Sequence, residues 1–463
     1  MNEDEDEFRE LLRAFLEGQT DIDPSKLASA AGLPSNPALL AHLMEQLKKA
    51  MDRPGDDIDW SLAAEQAASI AAAGMVVTLP EERQAIERAF DIAELWLDEV
   101  TDLDRSTRAP LVMGRREWTS ATIDVWTQFA EPVANSIARA LTEALSAAAP
   151  EELDGILPGA ERIMRNVGGT LFAMQLGQVV GRLSTEVLSG GDIGIPLFEE
   201  SQAAILPQNA IAFGQSLELP DDQVQLWVAT RELAHTRLFR HARWLRLQLV
   251  TAITDYSRGI SIDTERLQDV ALELDPANPE SLRDALQSGA LIPPRTEAQE
   301  LALARLETTL ALVEGWVDVV TAAATRRLPS APAIAEAIRR RRATGGPAEQ
   351  ALAALVGLEL RPRRLREAAA MWQAVTDAVG PAARDTLWSH PDLAPRPEDI
   401  DDPQALIARL TGGLPEQDEM DRALEDLLGG GTGLDGGAED GTGGASREDG
   451  ASPGADDQDS PER

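Results

Sequence analysis

Along most of this chain apolar side chains recur every three or four residues, the spacing that puts them on one buried face of a helix. From Pro80 the pattern runs through Ile86, Phe90, Ile92, Ala93, Trp96 and Leu97, and it returns at Trp118, Ile123, Trp126, Phe129 and Val133. The same spacing predicts helices over residues 223–256, 297–327, 332–342 and 362–379, the first of them started by Pro220-Asp221-Asp222. Tryptophans on such faces are expected to be core anchors. Alternating β-branched runs are nearly absent, so the expected fold class is mainly α, with little or no sheet.

Glycine and proline punctuate the pattern. Gly177 and Gly181 lie four apart on one predicted face, where missing side chains let a second helix come close. The stretch Ser189-Gly190-Gly191-Asp192-Ile193-Gly194 then breaks the helix, without the strand-before, helix-after setting of a phosphate loop. Residues 1–79 read as a peripheral N-terminal region of short helices, with turns such as Pro54-Gly55-Asp56-Asp57. Residues 80–428 carry the main helical domain. From Gly429 to Arg463 the chain is Gly-, Asp- and Ser-rich, a composition that cannot offset folding entropy, so a disordered acidic tail is expected there.

Composition narrows the function. The chain has 463 residues, and 79 acidic against 42 basic side chains leave a formal charge of -37, which repels phosphate backbones and argues against nucleic acid as a partner. Cysteine is absent, which removes disulfides and thiolate ligands and fits a cytoplasmic location. Neither a secretory signal nor a membrane-length apolar run is expected. Arginines cluster at 326–327, 339–342 and 361–366, a pattern read first as solvated helix faces and ion pairs with the acidic excess.

The candidate chemistry lies in Leu226 to Arg246, which holds half of the four histidines. Its Arg231-Glu232-Leu233-Ala234-His235 is one residue away from H-E-x-x-H, in which two histidines one turn apart bind zinc and the Glu acts as general base. His241 follows His235 by six residues, the spacing of a third ligand, although Leu238 stands where that motif has its turning Gly. Further on, Glu314-Gly-Trp-Val-Asp318 puts two carboxylates on one helix face. A di-iron site would need a second E-x-x-H, and Leu stands three before His42, His241 and His390. His390 is most simply a packed or hydrogen-bonded histidine, with a reserve role as ligand.

Several further segments complete the pattern: Trp96-Leu-Asp-Glu99, Arg116-Glu-Trp118, Gln175-Leu-Gly-Gln178, Leu355 to Arg363, and Leu387-Trp-Ser-His-Pro-Asp-Leu393. Together with RELAHTRLFRHARWLR they resemble the zincin-like metallopeptidase family, a group of hydrolases with relatives associated with coenzyme F420 biosynthesis. The resemblance implies a multi-helix zincin-like domain, zinc as cofactor, Glu232 as general base, His235 and Glu314 as ligands, and Asp318 as the residue that orients them. A peptide or amide is then the expected substrate.

Arg231 departs from that pattern, because a guanidinium has no lone pair to give a metal. Three outcomes stay open. His241 replaces the missing ligand, which needs the helix to end or bend near Leu238. Arg231 pairs with Glu314 and Asp318 where the metal stood, leaving a catalytically inactive binding or scaffold protein. Or His235 and Glu314 alone hold metal weakly. The leading expectation is a zinc-dependent hydrolase, with the inactive protein as the alternative.

Overall fold

A computed structural model describes residues 58–148, 157–198, 202–260, 295–343, 346 and 363–412. The expected acidic tail, residues 1–57 of the N-terminal region and the segment 355–362 lie outside these. Residues 1–411 form one unit and 412–463 another, and every element named below belongs to the first.

The described residues form twelve helices and two short strands: α1 Ser61–Ala72, α2 Pro80–Leu97, β1 Leu111–Val112, α3 Arg115–Ala148, α4 Leu157–Glu186, β2 Ala204–Ile205, α5 Pro207–Ser216, α6 Asp221–His241, α7 Trp244–Arg258, α8 Glu297–Ala324, α9 Ala331–Ala343, α10 Arg363–Thr386, α11 Pro397–Asp401 and α12 Pro403–Thr411. The expected mainly α class is the observed one. The strands pair in parallel over two residues each, Leu111 with Ala204 and Val112 with Ile205. Local chemistry explains the helix ends. At α8, Thr296 accepts from the Gln299 amide at 3.2 Å while Gln299 Oε1 accepts from the Thr296 amide at 2.9 Å, a reciprocal cap. In α10 the helical geometry is interrupted at Gly380, whose φ is 84°, just before Pro381.

Helix α6 is the axis of one core. It packs on α2, α5, α8 and α9, and every residue from Trp227 to Phe239 is buried. A helix buried on all sides ordinarily carries only apolar residues. This one also buries Arg231, Glu232, His235 and Arg237. Around it stand Trp316 and Trp372, whose indole N–H groups donate to Asp385 and to the Leu312 carbonyl, both at 2.9 Å. Truncating such a buried Trp costs about 3 to 5 kcal/mol, so these anchors hold α8 and α10 in register.

The second core gathers α1, α3, α4, α7 and the first half of α8. Here the small residues of α4 act as expected. A Cβ on Gly177 would stand 2.5 Å from the Ala63 carbonyl oxygen, and one on Gly181 2.7 Å from Ile70. The helix that comes close is α1, with Ala63 and Ala67 fully buried, so the described part of the N-terminal region contributes to the core.

One expected element divides. The predicted helix over 223–256 is two, α6 and α7, broken at Ala242 (φ -94°, ψ 63°). Nothing in the local sequence marks a stop there, because neither Gly nor Pro is present. Tertiary packing decides it: α7 turns away from the α6 core to pack on α3 and α8.

Candidate functional site

The buried polar groups of α6 meet side chains from α8 and α9. Arg231, 4 % exposed, forms an ion pair with Glu314 Oε2, and its Nη1 lies 3.7 Å from Asp318 Oδ1. Its guanidinium also lies 5.7 Å from the Trp227 ring centroid. Arg342 of α9 pairs with the same Glu314 oxygen, and Arg339 reaches Asp318 at 3.4 Å. The other oxygen, Glu314 Oε1, is 3.1 Å from His235 Nε2. Burial works to raise the Glu314 pKa, but Arg342, Arg231 and His235 outweigh it and hold this carboxyl well below its usual range.

His235 is defined by the same cluster. Its Nδ1 lies 3.1 Å from the Arg231 carbonyl and its Nε2 faces Glu314. Burial pushes the imidazole pKa down against the pull of Glu314. Both ring nitrogens face acceptors, and a neutral ring can give its single N–H to only one of them.

Glu232 points the other way. Its Oε2 accepts from the Gly191 amide at 2.7 Å and its Oε1 from the Ala204 amide at 2.9 Å. The carboxyl thereby ties α6 to β2 and to the glycine-rich break after α4. Burial raises its pKa to about 7, against these two amide donors. The same break wraps the ion-paired group. A Cβ on Gly191 would fall 2.8 Å from His235 Cβ, and one on Gly194 2.3 Å from Glu314 Oε1, with Gly194 already at a φ of +76°. Asp192 joins it to α9, with its carboxylate 3.3 Å from Arg341 Nη1 and its carbonyl accepting from Arg342 at 2.9 Å.

Of the residues singled out from sequence, Arg231, His235, Glu314 and Asp318 come together. His241 does not join them. The helix runs through Leu238 without bending, so His241 lies about 9 Å further along its axis and about 240° around it from His235, and it is exposed. His390, expected to be packed or hydrogen-bonded, is exposed and hydrogen-bonded, its Nδ1 accepting from the Asp392 amide at 3.3 Å. The Arg339–Arg342 run is only partly a solvated face: the Arg342 side chain is 14 % exposed and sits in the site. Sequence reasoning missed Arg342, Gly191, Asp192 and Gly194. Their only signal was an arginine run and a glycine-rich break, which are common on surfaces and in turns.

A cleft of about 450 Å³ opens beside this group, lined by Arg231, Glu314, Asp318, Arg339, Arg342 and Arg366 among others. These residues do not fit a zinc ion. Of the donors a metal would need, Glu314 is taken by two guanidiniums and His235 is hydrogen-bonded to Glu314. A dication placed between them would face Arg231 and Arg342 at contact range. Among the described residues no three His, Asp or Glu side chains converge as a metal site.

A family model for zincin-like metallopeptidases matches residues 58–407. No curated protein matches the chain. A solved structure from Chloroflexus aurantiacus, described as "a putative hydrolase with a novel fold", is similar with a TM-score of 0.53 at 20 % identity, over 76 % of this chain and 99 % of that one. At that identity the likeness concerns the fold alone. Among the described residues no helix is long and apolar enough to cross a membrane.

Proposed function

Because the chain belongs to the zincin-like metallopeptidase family, we propose that it is a member in which an ion-paired arginine has taken the metal's place, and that it works as a binding protein and not through metal-activated water. One observation carries this reading. The Arg231 guanidinium pairs with Glu314, the carboxylate that the family resemblance assigns to the metal, and Arg342 reinforces it from a second helix. Positive charge and hydrogen-bond donors then meet Glu314 and Asp318 as a cation would, without an open coordination position for water.

Zinc-dependent hydrolysis is the competing reading, and one observation favours it. Glu232 has a pKa raised to about 7, a value suited to general base work. Against that, both of its oxygens accept backbone amides and the residue is only 1 % exposed. A base so engaged has its lone pairs directed at the backbone and not at a substrate proton.

Elemental analysis separates the two. Protein purified without a metal-affinity tag, offered excess zinc and then desalted, is expected to hold zinc far below one ion per chain. A stoichiometric ion, lost in His235→Ala, would overturn the proposal. A peptidase assay on the same preparations is expected to show no zinc-dependent turnover.

A further inference from the structure

A second cleft, of about 470 Å³, lies where α6 ends and α7 begins, and its chemistry differs from that of the first. It is lined by Arg108, Arg240, Arg243 and Arg246, by the hydroxyl-bearing Ser106 and Thr107, and by the rings of Phe198 and Phe239. Among the described residues no Asp or Glu lines it. In a chain with 79 acidic and 42 basic side chains, a cleft lined by four arginines and by no Asp or Glu among the described residues runs against the composition.

The partners of these arginines sharpen the point. Arg240 donates to the Arg105 carbonyl. Neither Arg243 nor Arg246 forms an ion pair with any described residue, and Nε and Nη2 of Arg246 are buried with no hydrogen-bond partner. Burying guanidinium N–H groups without an acceptor is costly. Nε and Nη1 of Arg231 share that state, but here the neighbouring Arg243 is also exposed and without an ion pair, so the cleft presents cationic groups to an anion from outside the chain. Guanidinium forks match the paired oxygens of a carboxylate or a phosphate. The two phenylalanines supply an apolar wall, and the volume is that of a small-molecule site.

We propose that this cleft binds a small organic oxyanion, a phosphate ester or a carboxylate, with Arg243 and Arg246 holding the anionic group and Phe198 and Phe239 flanking its apolar or planar body. The site extends the reading of the chain as a binding protein but does not depend on it, because a zinc-loaded chain would carry the same arginines.

Calorimetry on the full chain tests this with inorganic phosphate, inorganic pyrophosphate, citrate and phenyl phosphate as probes. Saturable binding of pyrophosphate alone assigns the phosphate class, and binding of citrate alone the carboxylate class. Either is expected to weaken at least about tenfold in Arg243→Ala and in Arg246→Ala, the loss of one charge-assisted hydrogen bond. Arg339→Ala, in the other cleft, is expected to change affinity less than about twofold, as for an independent site. Phenyl phosphate is expected to bind more tightly than inorganic phosphate, and Phe198→Ala to remove that advantage. No saturable binding of any probe would overturn the proposal. So would binding that both arginine variants leave unchanged.

Discussion

The two arginine-lined clefts to which α6 contributes differ in how their charge is answered. Midway along the helix, Arg231 pairs with Glu314, and Arg339 and Arg342 pair with Asp318 and Glu314. At the far end of the helix, Arg243 and Arg246 pair with no described residue. The first group is answered by carboxylates of the chain, although Nε and Nη1 of Arg231 have no hydrogen-bond partner. The second is not answered by a carboxylate among the described residues, and the anion proposed for it would supply the counter-charge. The lesson is that a cluster of one residue type carries no function until its partners are known.

The largest expected effect breaks the carboxylate-paired side. Arg231→Ala leaves Glu314 with one guanidinium fewer in a buried setting, and urea denaturation is expected to show a loss of about 3 to 5 kcal/mol, the cost of breaking a buried pair. A loss under about 1 kcal/mol, the scale of an exposed pair, would mean that the pair is solvated.

Next come two pH dependences of opposite sign. Glu232 has a carboxyl raised from 4.5 to about 7 in the fold. The folded state therefore binds the extra proton between these values, and this residue's contribution to stability falls as pH rises from 4.5 to about 7. Glu314 is lowered below its ordinary 4.5, so its contribution is present above that value and is lost as pH falls below it. Stability curves from pH 3 to 8 are expected to lose the fall toward neutrality in Glu232→Gln and to lose part of the acid limb in Glu314→Gln. Unchanged curves would mean that neither group is buried as described.

The smallest effect belongs to the other cleft. Arg243→Ala removes an exposed side chain that no described residue pairs with, so stability is expected to stay within about 0.5 kcal/mol of the parent. A large loss there would reveal a structural partner and erase the contrast between the clefts.

Much of this was legible in the sequence and some was not, for physical reasons. Helical spacing gave the mainly α class and the anchor roles of Trp118 and Trp126, both fully buried, whereas Trp96 is only half-buried and Ile92, placed on the same face, is exposed. Gly177 and Gly181 announced a close helix contact, although not that α1 would make it. Among the site residues, Arg231 and His235 could be named from a motif one residue short, and Glu314 and Asp318 because the family resemblance gave that pair of carboxylates a role. Arg342 and the Gly191–Gly194 break could not, because their approach depends on how α9 and the chain after α4 fold over α6. The break at Ala242 escaped for the same reason, since the sequence there suits a helix and packing ends it.

The account rests on Arg231 and Glu314 acting as a unit, and a double-mutant cycle measures that directly. Arg231→Ala, Glu314→Ala and the pair are unfolded in urea at pH 7. The account predicts a coupling of about 2 to 3 kcal/mol, near the top of the range for contacting residues. Effects that add to within about 0.5 kcal/mol, as they do for independent sites, would contradict it.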